Sequence, residues 1–321
     1  MAFTVPSVDA INEQARRNQF DIEAIPWSLG IDRARFWGPE AMSHLYYCPS
    51  YQLLTDEEKR YYNQVHACGI CEQFVFLEEI LLVKGIQRLA DKMGSRLAAP
   101  MREAMQTFVV EEIKHGEMFS RLLKLADPEA YARERFVVYR LSKFELGFLD
   151  LCLEFPETFV WWVWIAVLFE EKTLDFYRKY KDAPDQGIVD PLFHAIHKFH
   201  AKDEVRHFQL DHHFVDMFWA PAAGWKKFVN EKIFHKMMYS FTHPRRTVRH
   251  ALDRTIAKFP RLAEHRERLL AEVLEVFRNR QWQEAFYSRD VLPQTFALFD
   301  RFPELHHMQD AFPLYEPRRA A

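Results

Sequence analysis

Glycine is scarce in this chain, with nine among 321 residues, well below the roughly 7% of an average protein and few for a sheet-rich fold. No uncharged apolar stretch reaches the about 18 residues that would suggest a spanning helix. The most apolar run, residues 159–169, is too short. An excess of one charge is also missing. Lys and Arg total 43 against 46 Asp and Glu, a formal charge of −3, and the signs are interspersed, so neither nucleic acid nor an anionic membrane is an expected partner. The opening stretch MAFTVPSVDAINEQARR has no basic start leading into an apolar run, and no secretory leader is expected. Cysteine is limited to Cys48, Cys68, Cys71 and Cys152. Cys68 and Cys71 form a C-x-x-C, but no second pair accompanies it and it lies inside a helical pattern. Buried, reduced thiols and a cytoplasmic setting are the expectation.

Apolar and aromatic residues are abundant: 49% of the chain is hydrophobic, with 29 Phe, 12 Tyr and 8 Trp. Such a composition suits wide helical bundles packed by aromatic side chains. Residues 1–50 show weak periodicity, punctuated by Pro6, Pro26, Pro39 and Pro49, with Trp27, Phe36 and Trp37 as anchors to the body. Thr55 reads as an N-cap ahead of acidic residues, starting a helix to about residue 93 whose outer face carries Gln73, Lys84, Gln87 and Asp91. Further helices are expected at about 97–126, 130–153, 161–180 and 191–219, with the loop DAPDQG between the last two and PAAG closing the unit. Residues 225–321 add three or four helices broken by Pro244, Pro260, Pro293 and Pro303, and FPLYEP reads as an extended tail. No low-complexity linker interrupts the chain. We therefore expect one domain over 1–321: an arm to 50, a four-helix core over 54–220, and appended helices over 225–321.

The chemistry concentrates in HAKDEVRHFQLD, residues 200–211. His200, Glu204 and His207 are spaced four and then three residues apart, which on a helix places them on one face within an arc of roughly 60°. A carboxylate and two imidazoles aimed at one point suit iron, manganese or zinc, although Glu and His are also common on solvated faces. The rest of the chain decides. EEIKH at residues 111–115 matches DEVRH at 203–207 across an offset of 92, and the same offset relates FLEE at 76–79 to LFEE at 168–171. Two helices that each supply a Glu, with two more that each supply Glu-x-x-His, form the ligand layout of di-iron and di-manganese carboxylate bundles.

Each double Glu leaves a choice. On the helix from 161, Lys172, Asp175 and Lys179 read as the solvent face, which leaves Glu170 inward and Glu171 to the side. On the first helix Glu78 lies roughly 35° from the inward direction and Glu79 roughly 65° on the other side, so both stay open. The offset pairs Glu78 with Glu170. The candidate ligands are Glu78, Glu112, His115, Glu170, Glu204 and His207. Glu111 and Asp203 are candidate acceptors for the second ring nitrogens across the pseudo-twofold, with Asp211 as an alternative. His200 breaks the repeat, because its counterpart is Phe108. It is a candidate seventh ligand, against the alternative of a hydrogen-bonded core histidine. His197 is a weaker candidate, and His212 and His213 read as supporting or surface groups. Trp161, Trp162 and Trp164 read as core packing rather than a ligand cage.

This pattern, over about residues 54–215, resembles the ferritin-like di-iron superfamily. The added histidine in H-x-x-x-E-x-x-H resembles the p-aminobenzoate N-oxygenase family in particular. The resemblance implies an all-α, ferritin-like four-helix bundle with additional helices. It also implies a di-iron site of seven ligands, Glu78, Glu112, His115, Glu170, His200, Glu204 and His207, that activates O2 to oxidise an amine nitrogen. A manganese–iron pair is the alternative cofactor. The expected partners are a small (aryl) amine, O2 and an external electron donor, either a reductase or a ferredoxin-like carrier, with a homodimer as candidate assembly. Two other readings remain: an oxidase, hydroxylase or desaturase acting on C–H bonds, and a metal-storage protein, whose chains are usually shorter.

Overall fold

The computed structural model describes residues 5–182 and 186–318. Residues 183–185 of the expected DAPDQG loop, the first four residues and the last three lie outside the described residues. Among the described residues there is no strand beyond an isolated parallel bridge between Phe36 and Val189. The fold is all-α.

The arm holds more order than its weak periodicity suggests. Helix α1, Val8–Asn18, starts at Ser7, whose hydroxyl accepts from the Ala10 N–H. Only Ile11, Asn12 and Ala15 of α1 are buried, and so short an inward face leaves little pattern to read. Beyond α1, Trp37 stacks on Phe193 with ring centroids 5.0 Å apart, and the Arg121 guanidinium lies 4.2 Å from the Trp27 ring centre. The arm is pinned to the bundle as the aromatic anchors implied.

Thr55 and Glu58 form a reciprocal capping box that opens α2, Asp56–Phe74. The helix continues through a π-helical segment, Val75–Leu82, into α3, Val83–Met93. Helix α4, Ala99–Ala126, carries a proline in its first turn, where a missing N–H costs nothing. Between α4 and the second half of the bundle, one expected helix is replaced by two, α5 (Pro128–Arg133) and α6 (Lys143–Glu154). The break has a long-range cause. The buried Glu72 carboxylate accepts from the Tyr131 hydroxyl and from the N–H groups of Val137, Val138 and Tyr139, at 2.5–3.0 Å. Those amides are thus satisfied outside a helix.

The second half consists of α7, Trp162–Lys181, and α8, Pro191–Phe214, which runs on into a π turn at Val215–Trp219. Asp190 caps α8 by accepting from Leu192 and Phe193 N–H at 2.9 Å. Helices α7 and α8 pack along their length, and α4 packs on the π segment and on α8. Helices α4 and α8 run antiparallel at the centre. Phe108 meets His207, His115 meets Asp203, and Phe119 meets His200, so residue numbers rise on one helix as they fall on the other.

Helices α9 (Gly224–Thr242), α10 (Arg245–Lys258), α11 (Arg266–Glu275), α12 (Arg280–Tyr287) and α13 (Pro293–Arg301) follow. They correct one reading. The face of α7 bearing Lys172, Asp175 and Lys179 is not solvent: Lys172 and Asp175 are each 2% exposed. The Lys172 ammonium donates to the Phe286 carbonyl at 2.9 Å and sits over three aromatic rings. A buried charge alone costs several kcal/mol. Lys172 is tolerated because Asp175 lies 3.4 Å away and α12 supplies an acceptor. The tail is likewise anchored, with Phe312 and Tyr315 fully buried. Trp164 packs on Trp219, Phe299 and Phe302 at 5.2–5.8 Å, as core. All four cysteines are free and buried, and burial pushes the Cys48 thiol up to about 12. No helix among the described residues is long and apolar enough to cross a membrane.

Candidate dimetal centre

Three of the four long helices bring two overlapping groups of ligand-type atoms together, each within 4.8 Å: Glu112, His115, Glu204 and His207, and Glu78, His115 and His200. All are buried. Helix α4 supplies Glu112 and His115, α8 supplies His200, Glu204 and His207, and the π segment supplies Glu78. His115 Nδ1 lies 3.1 Å from Glu204 Oε1, and His207 Nδ1 lies 2.7 Å from Glu112 Oε1. His200 Nε2 lies 2.8 Å from Glu204 Oε1 and 3.1 Å from Glu78 Oε1.

The other ring nitrogens cross the helix pair. His115 Nε2 donates to Asp203 at 3.1 Å, and His207 Nε2 donates to Glu111 at 2.9 Å. Carboxylates accept, so these bonds place the proton on Nε2 and turn the Nδ1 lone pairs inward. The acceptors are themselves held. Arg206 donates to both Glu111 and Asp203 at 2.6 Å, and Lys114 donates to Asp203 at 2.6 Å. Burial would raise Asp203, but its bond to His115 and the charges of His115 and Lys114 hold it well below the carboxylate range. Asp211, the alternative acceptor, is fully buried with both oxygens unpartnered.

Each doublet divides its work. Glu78 points inward, while Glu79 turns outward to an ion pair with Arg135. The helical wheel could not separate them because π-type i→i+5 bonding changes the angular step there: the Val83 N–H reaches back to the Glu78 carbonyl. On α7, Glu171 accepts from Gln294 and Thr295 N–H at 2.9 and 2.8 Å, capping α13. Glu170 is also buried, on the helix that packs along α8, but lies outside the two groups. His197 stacks on Tyr180 at 4.4 Å, and His213 bonds the Pro6 carbonyl at 2.8 Å; both lie outside the two groups.

The electrostatics test whether metal fits. Burial raises Glu78 and Glu112, with neighbouring carboxylates adding to it for Glu78. Burial opposes charge on His115, yet its bond to Asp203 and the Glu204 carboxylate 3.1 Å away lift it to about 9. Burial and the neighbouring imidazoles push His200 well down, so it is neutral. Both Glu112 oxygens, Glu204 Oε1, Glu78 Oε2, both His200 nitrogens and the Nδ1 atoms of His115 and His207 lack a hydrogen bond. Each unpaired buried ion costs several kcal/mol, and so many orphaned donor atoms around one point are what cations would satisfy. Carboxylate and imidazole together suit two divalent first-row ions. The residues fit a dimetal cofactor, whose binding must displace the protons held on the imidazoles.

A family model described as p-aminobenzoate N-oxygenase AurF matches residues 7–299. The chain belongs to this N-oxygenase family. It is therefore an oxidoreductase, a non-haem dimetal oxygenase or oxidase that uses O2 and a small molecule. Among curated proteins, none matches the chain by sequence. Among solved structures, the chain is similar to an R2-like ligand-binding oxidase with aerobically reconstituted metal cofactor after photoconversion. The two share 15% identity at a TM-score of 0.46, over 94% of this chain and 93% of that one. A mutant of such an oxidase with aerobically reconstituted Mn/Fe cofactor gives 17% identity and a TM-score of 0.45, over 94% and 93%. One with anaerobically reconstituted Mn/Fe cofactor gives 17% and 0.44, over 88% and 93%.

Proposed function

We propose that the protein N-oxygenates a small organic amine, an aryl amine foremost, at a di-iron centre held by Glu78, Glu112, His115, Glu170, His200, Glu204 and His207. The observation that carries the reading is His200, a third buried imidazole with no hydrogen-bond partner, beside Glu78 and Glu204. Two iron ions bound there supply O2 binding and redox chemistry. The chain's own residues hold and orient. Asp203 and Glu111 fix the tautomers of His115 and His207, Arg206 and Lys114 balance those two acids, and Phe74, Phe108 and Phe119 close the site to water with rings 4.2–5.0 Å from the imidazoles. In each cycle one oxygen atom of O2 enters the amine as N–OH and the other leaves as water. Two electrons and two protons must come from outside, from a reductase or ferredoxin-like carrier. A cytoplasmic homodimer is the setting we expect.

The test supplies the reduced, iron-loaded protein with 4-aminobenzoate and ¹⁸O2. One labelled oxygen on nitrogen supports the reading. Label on carbon, or an unchanged amine with O2 consumed, contradicts it. The ligand set makes a separate prediction for the α7 doublet. Glu170→Ala should lose metal at little cost to the fold. Glu171→Ala should keep metal but lose about 1 kcal/mol of stability, the usual worth of a helix cap. Urea melts beside metal analysis separate the two, and a reversed pattern would make Glu171 the ligand.

A further inference from the structure

Outside the centre, a cavity of about 450 Å³ opens between the outer face of α4 and the segment after α5. That volume falls in the range of small-molecule sites. Glu79 and Glu117 lie on its inner side, Arg133, Glu134 and Arg135 opposite, at the end of α5 and just beyond it, and Lys124 further along α4. Its position relative to the metal ligands is close. Glu79 follows Glu78, and it lies against Gly116, which follows His115. A Cβ on Gly116 would fall 2.8 Å from Glu79 Oε2 and 3.1 Å from Glu79 Cβ. Glu79, held by Arg135, is thus a cavity-lining side chain that packs on the glycine next to His115. An exposed pair of this kind is worth only about 0–1 kcal/mol, so a ligand can exchange for it. Glu79 also stands in π-helical backbone, a turn type that recurs at functional sites.

We propose that this cavity is a vestibule for the amine, in which Glu79 releases Arg135, accepts hydrogen bonds from the substrate's amino group, and swings off Gly116 to open a path toward the centre. The bases stand opposite or further out; of the acids, Glu79 and Glu117 stand on the inner wall, while Glu134 on the opposite side is already paired with Arg140, so a dipolar ligand enters amine first. The inference rests on the amine-oxygenase reading but concerns the route rather than the chemistry.

Binding to the full chain loaded with zinc, which cannot activate O2, isolates this step. Calorimetry would compare 4-(aminomethyl)benzoate with benzoate, which has the same ring and carboxylate without the amine. We expect the amine to bind wild type at least 10-fold more tightly than benzoate does. Glu79→Gln should weaken the amine at least 10-fold with zinc content unchanged, and Arg135→Ala should strengthen it about threefold by removing the competing cation. Wild-type affinity in Glu79→Gln, equal binding of benzoate, or unchanged or weaker affinity in Arg135→Ala would overturn the vestibule. The two readings fail separately. Amine binding that depends on Glu79, without oxidation of any amine by the iron-loaded enzyme, removes the proposed function and leaves the site. Oxidation indifferent to Glu79 does the reverse.

Discussion

The Glu112→Ala variant should fold normally and fail to hold its dimetal cofactor. Glu112 reaches His207 Nδ1 at 2.7 Å, lies 3.8 Å from His115 Nδ1, and has no hydrogen-bond partner for either oxygen. It therefore stands between both imidazoles of the Glu-x-x-His pairs. Removing an acceptor behind a ligand histidine weakens metal sites by about 10–100-fold, and loss of a carboxylate that would itself hold metal should exceed that. Glu111→Ala or Asp203→Ala, which release only the Nε2 side of one imidazole, should fall inside the 10–100-fold range. Competition against a chelator gives the order: wild type tightest, the two acceptor variants intermediate, Glu112→Ala weakest. Equal affinity for Glu112→Ala and wild type would remove Glu112 from the ligand set. The helical circular-dichroism signal should survive throughout, because α4 also buries Met105, Phe108, Met118, Phe119 and Leu122.

The His200→Phe variant should do the opposite, keeping metal and losing the reaction. His200 occupies an aromatic box, with ring centres of Phe74, Phe119 and His115 at 5.0, 4.9 and 4.5 Å. Phenylalanine suits that box and restores the symmetry with Phe108. On the proposed ligand set, four carboxylates and two imidazoles would remain to hold two ions. What would disappear is the third nitrogen donor that His200 offers beside Glu78 and Glu204. Amine oxidation should fall at least ~100-fold, about 2.7 kcal/mol in barrier, while iron content stays near two per chain. The absorbance changes after O2 addition should differ from those of wild type. A variant with wild-type spectra and turnover would show His200 to be packing.

Most of the bundle was legible because its signals are local. The Thr55 cap, the aromatic helix from 162 and the repeated Glu-x-x-His spacing each depend on residues within a few turns. The crosswise roles of Glu111 and Asp203 could also be inferred, since a pseudo-twofold pair of antiparallel helices brings each acid to the other's histidine. What stayed hidden depends on partners far along the chain. Glu72 draws residues 137–139 out of a helix from some 65 positions away. The charged face of α7 looked solvated until α12 covered it. Glu78 and Glu79 could not be separated because a wheel with a fixed angular step fails inside a π segment. Glu171 was set aside by its angle alone, whereas its actual partner is the start of α13. Nothing in the sequence pattern signalled that Gly116 leaves space for Glu79, because that contact exists only once α4 and the π segment meet.

The most direct measurement of the central claim is the number of metal ions bound per chain after anaerobic reconstitution with ferrous iron and removal of loose metal. The account predicts two irons per folded chain in wild type, falling below one in Glu112→Ala. Saturation at one iron, or uptake continuing well beyond two as mineral grows, would contradict it.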